Sequence, residues 1–272
     1  MKKYIDLIYE MKLNQLKELS QKNKKQKAIY VFYDSSLVDV NSAYIKSKVK
    51  YGNIFDVKVY VHDLYTNDLD TNHRLLKEIK DHHFMMFEFP ISKPILDQNY
   101  FSYLSLDNDI DGIVAPNYIQ NDFNLIKYHP ATVSAVLEVI NYLKLDLKQE
   151  DVCILGRSIY LGNYLYQLIL KNKPKSIVQI NSTTVNKQEL IKGSSLVISC
   201  INKALVYPID WLADNTYLID VTTEYVNNKL KGSFIIDQTY ANEHNIKYTP
   251  TPGGIGKLTT LFLFNNYFLT TK

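Results

Sequence analysis

Short apolar runs closed by turn residues recur along the chain with helix-length segments between them. This alternation restricts the fold more than any other feature of the sequence. Runs at 28–33, 57–61 and 84–89, and again at 151–155, 176–180, 195–200, 216–221 and 234–237, read as strands. Between them, Ile5, Ile8, Met11 (or Lys12), Leu16 and Leu19 fit one face of an amphipathic helix. Asn41-Ser42 can cap a helix reaching about residue 49, with Gly52 ending it. Further helices are predicted over 72–80, 96–104, 132–143 (capped by Thr132) and 162–170. Strands alternating with helices at this spacing require crossover connections, so the sheets should be mostly parallel with helices on both faces.

A chain of 272 residues can form one large domain or two modest ones. The two sets of strands meet near 128–132, and the expected organisation is two α/β domains flanking a cleft. Residues 1–130 form the first, completed by a C-terminal helix over 257–272. Residues 131–256 form the second. The net charge is only +3, from 31 basic and 28 acidic residues, and the lysines are spread out. That gives no support for a nucleic-acid groove; the one dense basic run, 22–27, reads as a solvated turn. Cys153 and Cys200 lie inside apolar runs and read as buried free thiols of a reducing compartment, neither a disulfide framework nor a metal site. The tandem His82-His83 has no second ligand pair nearby, so no metal is expected. No run is long enough to span a membrane, and the N-terminus lacks a signal peptide's apolar core. A cytoplasmic protein is expected.

Two glycines, Gly156 and Gly162, bracket the turn from the strand at 151–155 into the next helix. Such glycines let a backbone approach a pyrophosphate at a helix N-terminus. The following strand ends Gln179-Ile180-Asn181-Ser182-Thr183-Thr184, without the carboxylate that usually holds the ribose hydroxyls of NAD. With only two of the usual three glycines, a plain strand-to-helix turn stands equally beside a nicotinamide site; if a dinucleotide binds, Arg157 in the turn makes NADP the expected cofactor and NAD the alternative. Tyr44 and Lys48 stand four apart, which puts an aromatic ring and an amine on one helix face, an arrangement suited to a flat heteroaromatic substrate. Asp111 precedes Gly112 in a turn. The stretch Thr249-Pro250-Thr251-Pro252-Gly253-Gly254 combines two fixed φ angles with two permissive ones just before an apolar helix.

Taken in order, these segments resemble the methylenetetrahydrofolate dehydrogenase/cyclohydrolase family over nearly the whole chain. Tyr44-Ile45-Lys46-Ser47-Lys48 looks like the family's Tyr-x-x-x-Lys helix, and Phe87-Glu88-Phe89-Pro90-Ile91 occupies the place of its Val-Gln-Leu-Pro-Leu-Pro strand end. Asp109-Ile110-Asp111-Gly112 is similar to Asp-Val-Asp-Gly, and Pro130-Ala131-Thr132 to Pro-Cys-Thr-Pro. Gly156-Arg157-Ser158 with Gly162 resembles Gly-Arg-Ser-x-x-x-Gly, and residues 249–259 resemble Thr-Pro-Val-Pro-Gly-Gly-Val-Gly-Pro-Met-Thr.

The resemblance implies oxidation of 5,10-methylenetetrahydrofolate by NADP, then hydrolysis of the methenyl product to 10-formyltetrahydrofolate, in a homodimer. It implies Lys48 as catalytic acid/base, Tyr44 stacking on the folate and Asp111 bonding the pterin. Pro252, Gly253 and Gly254 would line the folate site. Residues 131–256 would be a Rossmann-like NAD(P)-binding domain, in which Arg157 and Ser158, with Ser182 and Thr184, would hold the NADP. Four places depart from the pattern. Glu88 stands for Gln, Ser92 for the second proline of the strand end, Val133 and Ala135 for Pro and Gly, and Lys257 for Pro. A neutral amide can hydrogen-bond a lysine without fixing its charge, whereas a carboxylate favours the ammonium. Glu88 therefore bears on the hydrolysis step more than on hydride transfer. Two alternatives follow. One is a silent homologue that binds folate or dinucleotide without turnover, and the other is a different two-domain NAD(P) dehydrogenase of the shikimate type.

Overall fold

The computed structural model describes residues 1–22, 27–117, 119 and 123–270. Of the basic run read as a solvated turn, residues 23–26 lie outside the described residues. The first elements in chain order are α1 (Lys2–Lys22), β1 (Ile29–Tyr33), α2 (Ala43–Ile54), β2 (Val59–Asp63), α3 (Leu69–Ile79), β3 (Phe84–Phe87), α4 (Lys93–Leu96) and α5 (Ala131–Tyr142). Then come β4 (Asp151–Leu155), α6 (Gly162–Lys171), β5 (Ser176–Ile180), α7 (Lys187–Lys192), β6 (Leu196–Ser199), β7 (Tyr207–Pro208) and β8 (Tyr217–Asp220). The chain closes with β9 (Glu224–Val226), β10 (Lys229–Lys231), β11 (Phe234–Ile235), α8 (Gln238–Glu243), β12 (Lys247–Tyr248) and α9 (Ile255–Thr270). It divides into two compact units: Met1–Met11 with Thr132–Thr259, and Lys12–Ala131 with Thr260–Lys272.

In the first unit a five-stranded sheet has the order β12-β8-β6-β4-β5, and every neighbouring pair is parallel. Numbered within the unit this is the doubly wound order 2-1-3-4-5, whose switch point lies between β4 and β6; ligands of such sheets bind beyond the strands' carboxyl ends at that point. Successive side chains of a strand alternate between faces. Cys153, Leu155, Val197 and Leu218 pack on one face with Ile191, Ile209, Leu212 and Ala241. The residues between them, Val152, Ile154, Leu196 and Ile198, are also fully buried. A sheet covered on both sides explains why these strands read as unbroken apolar runs.

In the second unit β2, β1 and β3 form a three-stranded parallel sheet in that order, and Asp109 adds a parallel bridge beside Met85. Its core gathers Phe32, Leu76, Ile79, Met85, Phe87 and Tyr100. The C-terminal helix packs here through Phe264 and Phe268 on Phe55, and Tyr267 on Phe84.

Two local expectations are corrected. Gly52 does not end α2, which continues to Ile54. It is a glycine for another reason: a Cβ there would sit 2.5 Å from Val59 Cγ2 and 2.7 Å from the Val57 carbonyl oxygen. The helix expected over 96–104 is broken into α4 and a 3₁₀ turn over Tyr100–Tyr103, with Asn99 between them in the left-handed region at φ 56°. Asparagine tolerates that conformation, and a continuous helix does not.

Candidate active site

In the second unit α2 begins at Ser42, whose hydroxyl accepts the Ile45 N–H. Its inner face buries Ile45, Lys48 and Tyr51. A lysine stays buried only with partners, and Lys48 has two. Its Nζ donates to Glu88 Oε2 at 2.5 Å and to the Tyr44 carbonyl at 3.4 Å. Glu88 extends β3 by one residue, its N–H donating to the Phe32 carbonyl, so the sheet itself delivers this carboxylate to the lysine. The side chains of both are nearly sealed, at 10% and 12% exposure. Tyr44, one helical turn before Lys48, is 45% exposed.

The third group is Asp111. Burial pushes its carboxyl up to about 6; the nearby Lys48 charge pulls it back and Glu88 pushes it further. The charges of the Lys48–Glu88 pair thus both act on the Asp111 carboxyl. The turn that presents Asp111 is heavily fixed. Asp109 accepts the N–H groups of Gly112 and Val114, Gly112 stands at φ +78°, and a Cβ on it would lie 2.7 Å from Pro130 Cα. Asn266, deep in α9, donates to the carbonyls of Ile110 and His129 at 2.9 and 3.0 Å. Sequence reading passed over Asn266; its one signal was an asparagine pair inside an apolar run. The Ser92 departure also has a physical reason. Its N–H donates to Asp34 Oδ2 at 2.9 Å, a bond that proline cannot make.

In the first unit the glycine turn lies at the carboxyl end of β4, beside the switch point. Gly156 has φ +104°, and a Cβ there would lie 2.9 Å from the Cys200 carbonyl oxygen. A Cβ on Gly162 would lie 2.4 Å from the Gly156 oxygen. Helix α6 starts without any side-chain cap. A cradle that side chains would fill, at an uncapped helix N-terminus, fits the pyrophosphate of a dinucleotide. Arg157, Ser158 and Ser182 are exposed at this edge. Thr184 is engaged in the turn after β5, where its hydroxyl accepts the Asn181 N–H. Lys187, which sequence reading missed, reaches back to the Ser182 carbonyl.

The Pro-Gly-Gly stretch belongs to this same unit. Thr251–Pro252 is a cis peptide, as is Phe89–Pro90 of the second unit. Gly253 is exposed at φ +92°, and no atom comes within 4 Å of where its Cβ would be. A Cβ on Gly254 would lie 2.3 Å from the Pro250 oxygen, so Gly254 is required by the loop's own backbone. A cavity of about 330 Å³ opens beside it, lined by Asp220, Lys231, Tyr248, Thr249, Pro250 and Thr251 among others. Among the described residues no cluster of three or more His, Cys, Asp or Glu could hold a metal ion, and no helix is long and apolar enough to cross a membrane.

A parallel doubly wound sheet with a glycine cradle, in one chain with a buried lysine–carboxylate cluster on a second parallel sheet, defines a two-unit α/β nucleotide-binding protein. Comparison with known proteins is narrower. Residues 130–272 match the family model described as "Tetrahydrofolate dehydrogenase/cyclohydrolase, NAD(P)-binding domain", and the chain belongs to that family. It is 28% identical to the bifunctional protein FolD of Picrophilus torridus, over 96% of this chain and 94% of the relative. To that of Dictyoglomus thermophilum it is 29% identical, over 71% of this chain and 68% of the relative. Among solved structures, the bifunctional dehydrogenase/cyclohydrolase of Thermoplasma acidophilum superposes with a TM-score of 0.82 at 20% identity, covering 97% of this chain and 95% of that one. The Trypanosoma brucei enzyme, complexed with NADP cofactor and inhibitor, gives 0.81 at 18%, covering 98% and 94%. At these identities the structural likeness speaks for the fold.

Proposed function

We propose that this chain oxidises 5,10-methylenetetrahydrofolate to the methenyl form with NADP and hydrolyses that product to 10-formyltetrahydrofolate. The observation that carries the reading is the buried Lys48–Glu88 pair whose charges act on Asp111, in a chain that matches the family's NAD(P)-binding domain over residues 130–272. Bound NADP supplies the hydride acceptor; the protein's part in that step is positioning. The ring of the half-exposed Tyr44 offers a flat face for a pterin to stack on. Asp111, with a carboxyl poised near 6, can exchange a hydrogen bond with an N–H or a ring nitrogen of the same pterin. Lys48 supplies or takes the proton that water addition to the methenyl carbon requires. Pro252, Gly253 and Gly254 contribute a backbone wall for the folate, and Gly156, Arg157, Ser158, Gly162, Ser182 and Thr184 hold the dinucleotide. In this proposal folate chemistry lies on residues 1–130 with 257–272, dinucleotide binding on 131–256, and the protein acts as a cytoplasmic homodimer.

The 2.5 Å contact between Lys48 and Glu88 favours a second reading, in which hydride transfer survives and hydrolysis is weakened. A lysine held by a carboxylate is a poorer proton carrier than one held by an amide. One assay separates the readings: purified protein with methylenetetrahydrofolate and NADP, following NADPH and the methenyl intermediate together. NADPH without an accumulating methenyl product supports both activities. An accumulating methenyl product supports the dehydrogenase alone, and no turnover with NADP or NAD refutes the assignment.

A further inference from the structure

The turn that follows β5 leaves few polar atoms unspent. Asn181 Oδ1 accepts the Thr183 N–H at 2.8 Å and the Thr183 hydroxyl at 2.7 Å, while the Asn181 N–H donates to the Thr184 hydroxyl. Those three side chains build the turn itself. Ser182, at the tip, is exposed, and its carbonyl accepts Lys187 Nζ at 2.7 Å. Lys187 opens α7, six positions beyond the turn's first residue. An ammonium has three donors, and the Ser182 carbonyl takes one of them. The acidic residue of the same helical turn, Glu189, stands two positions on and so does not share a face with Lys187.

In doubly wound dinucleotide sheets, the end of the second strand reads the adenosine ribose. A carboxylate there holds a free 2′-hydroxyl, and a cation there accommodates a 2′-phosphate. Here β5 is that strand, and no carboxylate stands between Gln179 and Thr184. Its last residue, Ile180, pairs with Leu155 of β4, and its carbonyl accepts the Gly156 N–H at 2.8 Å. Arg157 follows immediately in sequence. Two cationic residues thus follow the strand ends here: Arg157 in the turn after β4, and Lys187 at the start of α7 beyond β5.

We propose that Lys187, anchored on the Ser182 carbonyl, is a specificity-determining residue that binds the 2′-phosphate of a phosphorylated dinucleotide. This rests on the NADP reading and adds the residue that enforces it. The tethered ammonium is pre-placed, so less side-chain freedom is lost when a phosphate arrives.

The test needs no turnover. Calorimetric titration of the full chain with adenosine 2′,5′-bisphosphate and with 5′-AMP isolates the 2′-phosphate. The parent should bind the bisphosphate more tightly. Lys187→Ala should weaken the bisphosphate about ten- to hundredfold, the loss expected for one charge-assisted hydrogen bond, and leave AMP unchanged. Lys187→Arg should retain the preference, and Lys187→Glu should reverse it. Unchanged bisphosphate affinity in Lys187→Ala, or an equal loss for both nucleotides, overturns the role of Lys187 and leaves the NADP reading intact. A parent that does not prefer the bisphosphate overturns both.

Discussion

Lys48 Nζ lies 2.5 Å from Glu88 Oε2, and both side chains are nearly closed to solvent. A pair so placed is hard to break without harm, because removing one partner leaves the other charged and buried. Glu88→Gln is the informative change, since an amide keeps the shape and can still accept from the lysine. We expect it to raise hydrolysis of methenyltetrahydrofolate at least severalfold while hydride transfer stays within about twofold, a contrast equivalent to about 1 kcal/mol in the barrier of one step. Lys48→Ala should abolish hydrolysis. Steady-state rates of the two steps, measured separately, decide it; equal hydrolysis in parent and both variants would remove Lys48 and Glu88 from the chemistry.

Gly162 is the tightest point of the proposed dinucleotide cradle, because its missing Cβ would stand 2.4 Å from a backbone oxygen. Gly162→Ala must move either the start of α6 or the Gly156 turn. Overpacking of this kind destabilises by about 1–3 kcal/mol, and here it also misaligns the anion site. Dinucleotide affinity should fall at least about tenfold, roughly 1.4 kcal/mol. Gly256→Ala is the control, since nothing lies within 4 Å of its Cβ position. If fluorescence titration shows Gly162→Ala binding NADPH as the parent does, the cradle is not where the pyrophosphate sits.

The Asp109 carboxyl yields a pH prediction. Burial drives it up to about 7, Asp111 pushes the same way, and the N–H groups of Val114 and Gly112 only partly oppose them. Unfolded, it would lose its proton near 3.8. Between these values the native state binds a proton that the unfolded state does not, so this group makes stability fall as pH rises. Asp111, raised to about 6, acts in the same direction over a narrower window. Asp109→Asn removes the larger contribution. Its stability relative to the parent, from urea melts, should improve steadily from about pH 4 to about pH 7. A constant difference across that range would show that Asp109 carries no extra proton.

What the sequence made legible, and what it did not, follows from how local each determinant is. The bounds of β4 were readable to the residue because a parallel strand buried on both faces is an apolar run with sharp polar ends; those of the half-buried edge strand β5 were readable from its flanking turn residues. The cap of α2 was readable because Ser42 acts three residues away. Gly52 was misread because its cause is Val59, a strand neighbour brought close by tertiary packing. The 96–104 segment was misread because Asn99 breaks the helix by its own φ, which composition does not announce. Tyr44 and Lys48 were singled out by their four-residue spacing, and they and Asp111 by the family's motifs; Glu88 was singled out as a carboxylate that would face Lys48, and the structure puts the two 2.5 Å apart. Asn266 and Lys187 went unseen because their partners are backbone carbonyls, which no side-chain pattern records.

Lys257 takes the place where the family has proline, and the structure gives it a different kind of hold. Its Nζ lies 2.7 Å from Asp6 Oδ1 and 4.1 Å from the centre of the Tyr9 ring, while its N–H donates to the Gly254 carbonyl. A proline stiffens a loop through its own φ. This lysine ties the residues after Gly254 to the start of α1 by charge. Ion pairs that stay partly exposed are screened by salt. If Gly253 and Gly254 present backbone to folate, the affinity for methylenetetrahydrofolate should depend on that tie. Lys257→Ala and Asp6→Asn should each raise KM about threefold or more with kcat nearly unchanged, a loss of ground-state positioning. The parent's KM should rise with ionic strength, and the variants' should not. Lys257→Pro should give a salt-insensitive KM, because the ion pair is gone, but not the parent's low one, because proline also lacks the N–H that the Gly254 carbonyl accepts. A KM indifferent to both substitutions would mean that the tie serves α1 alone.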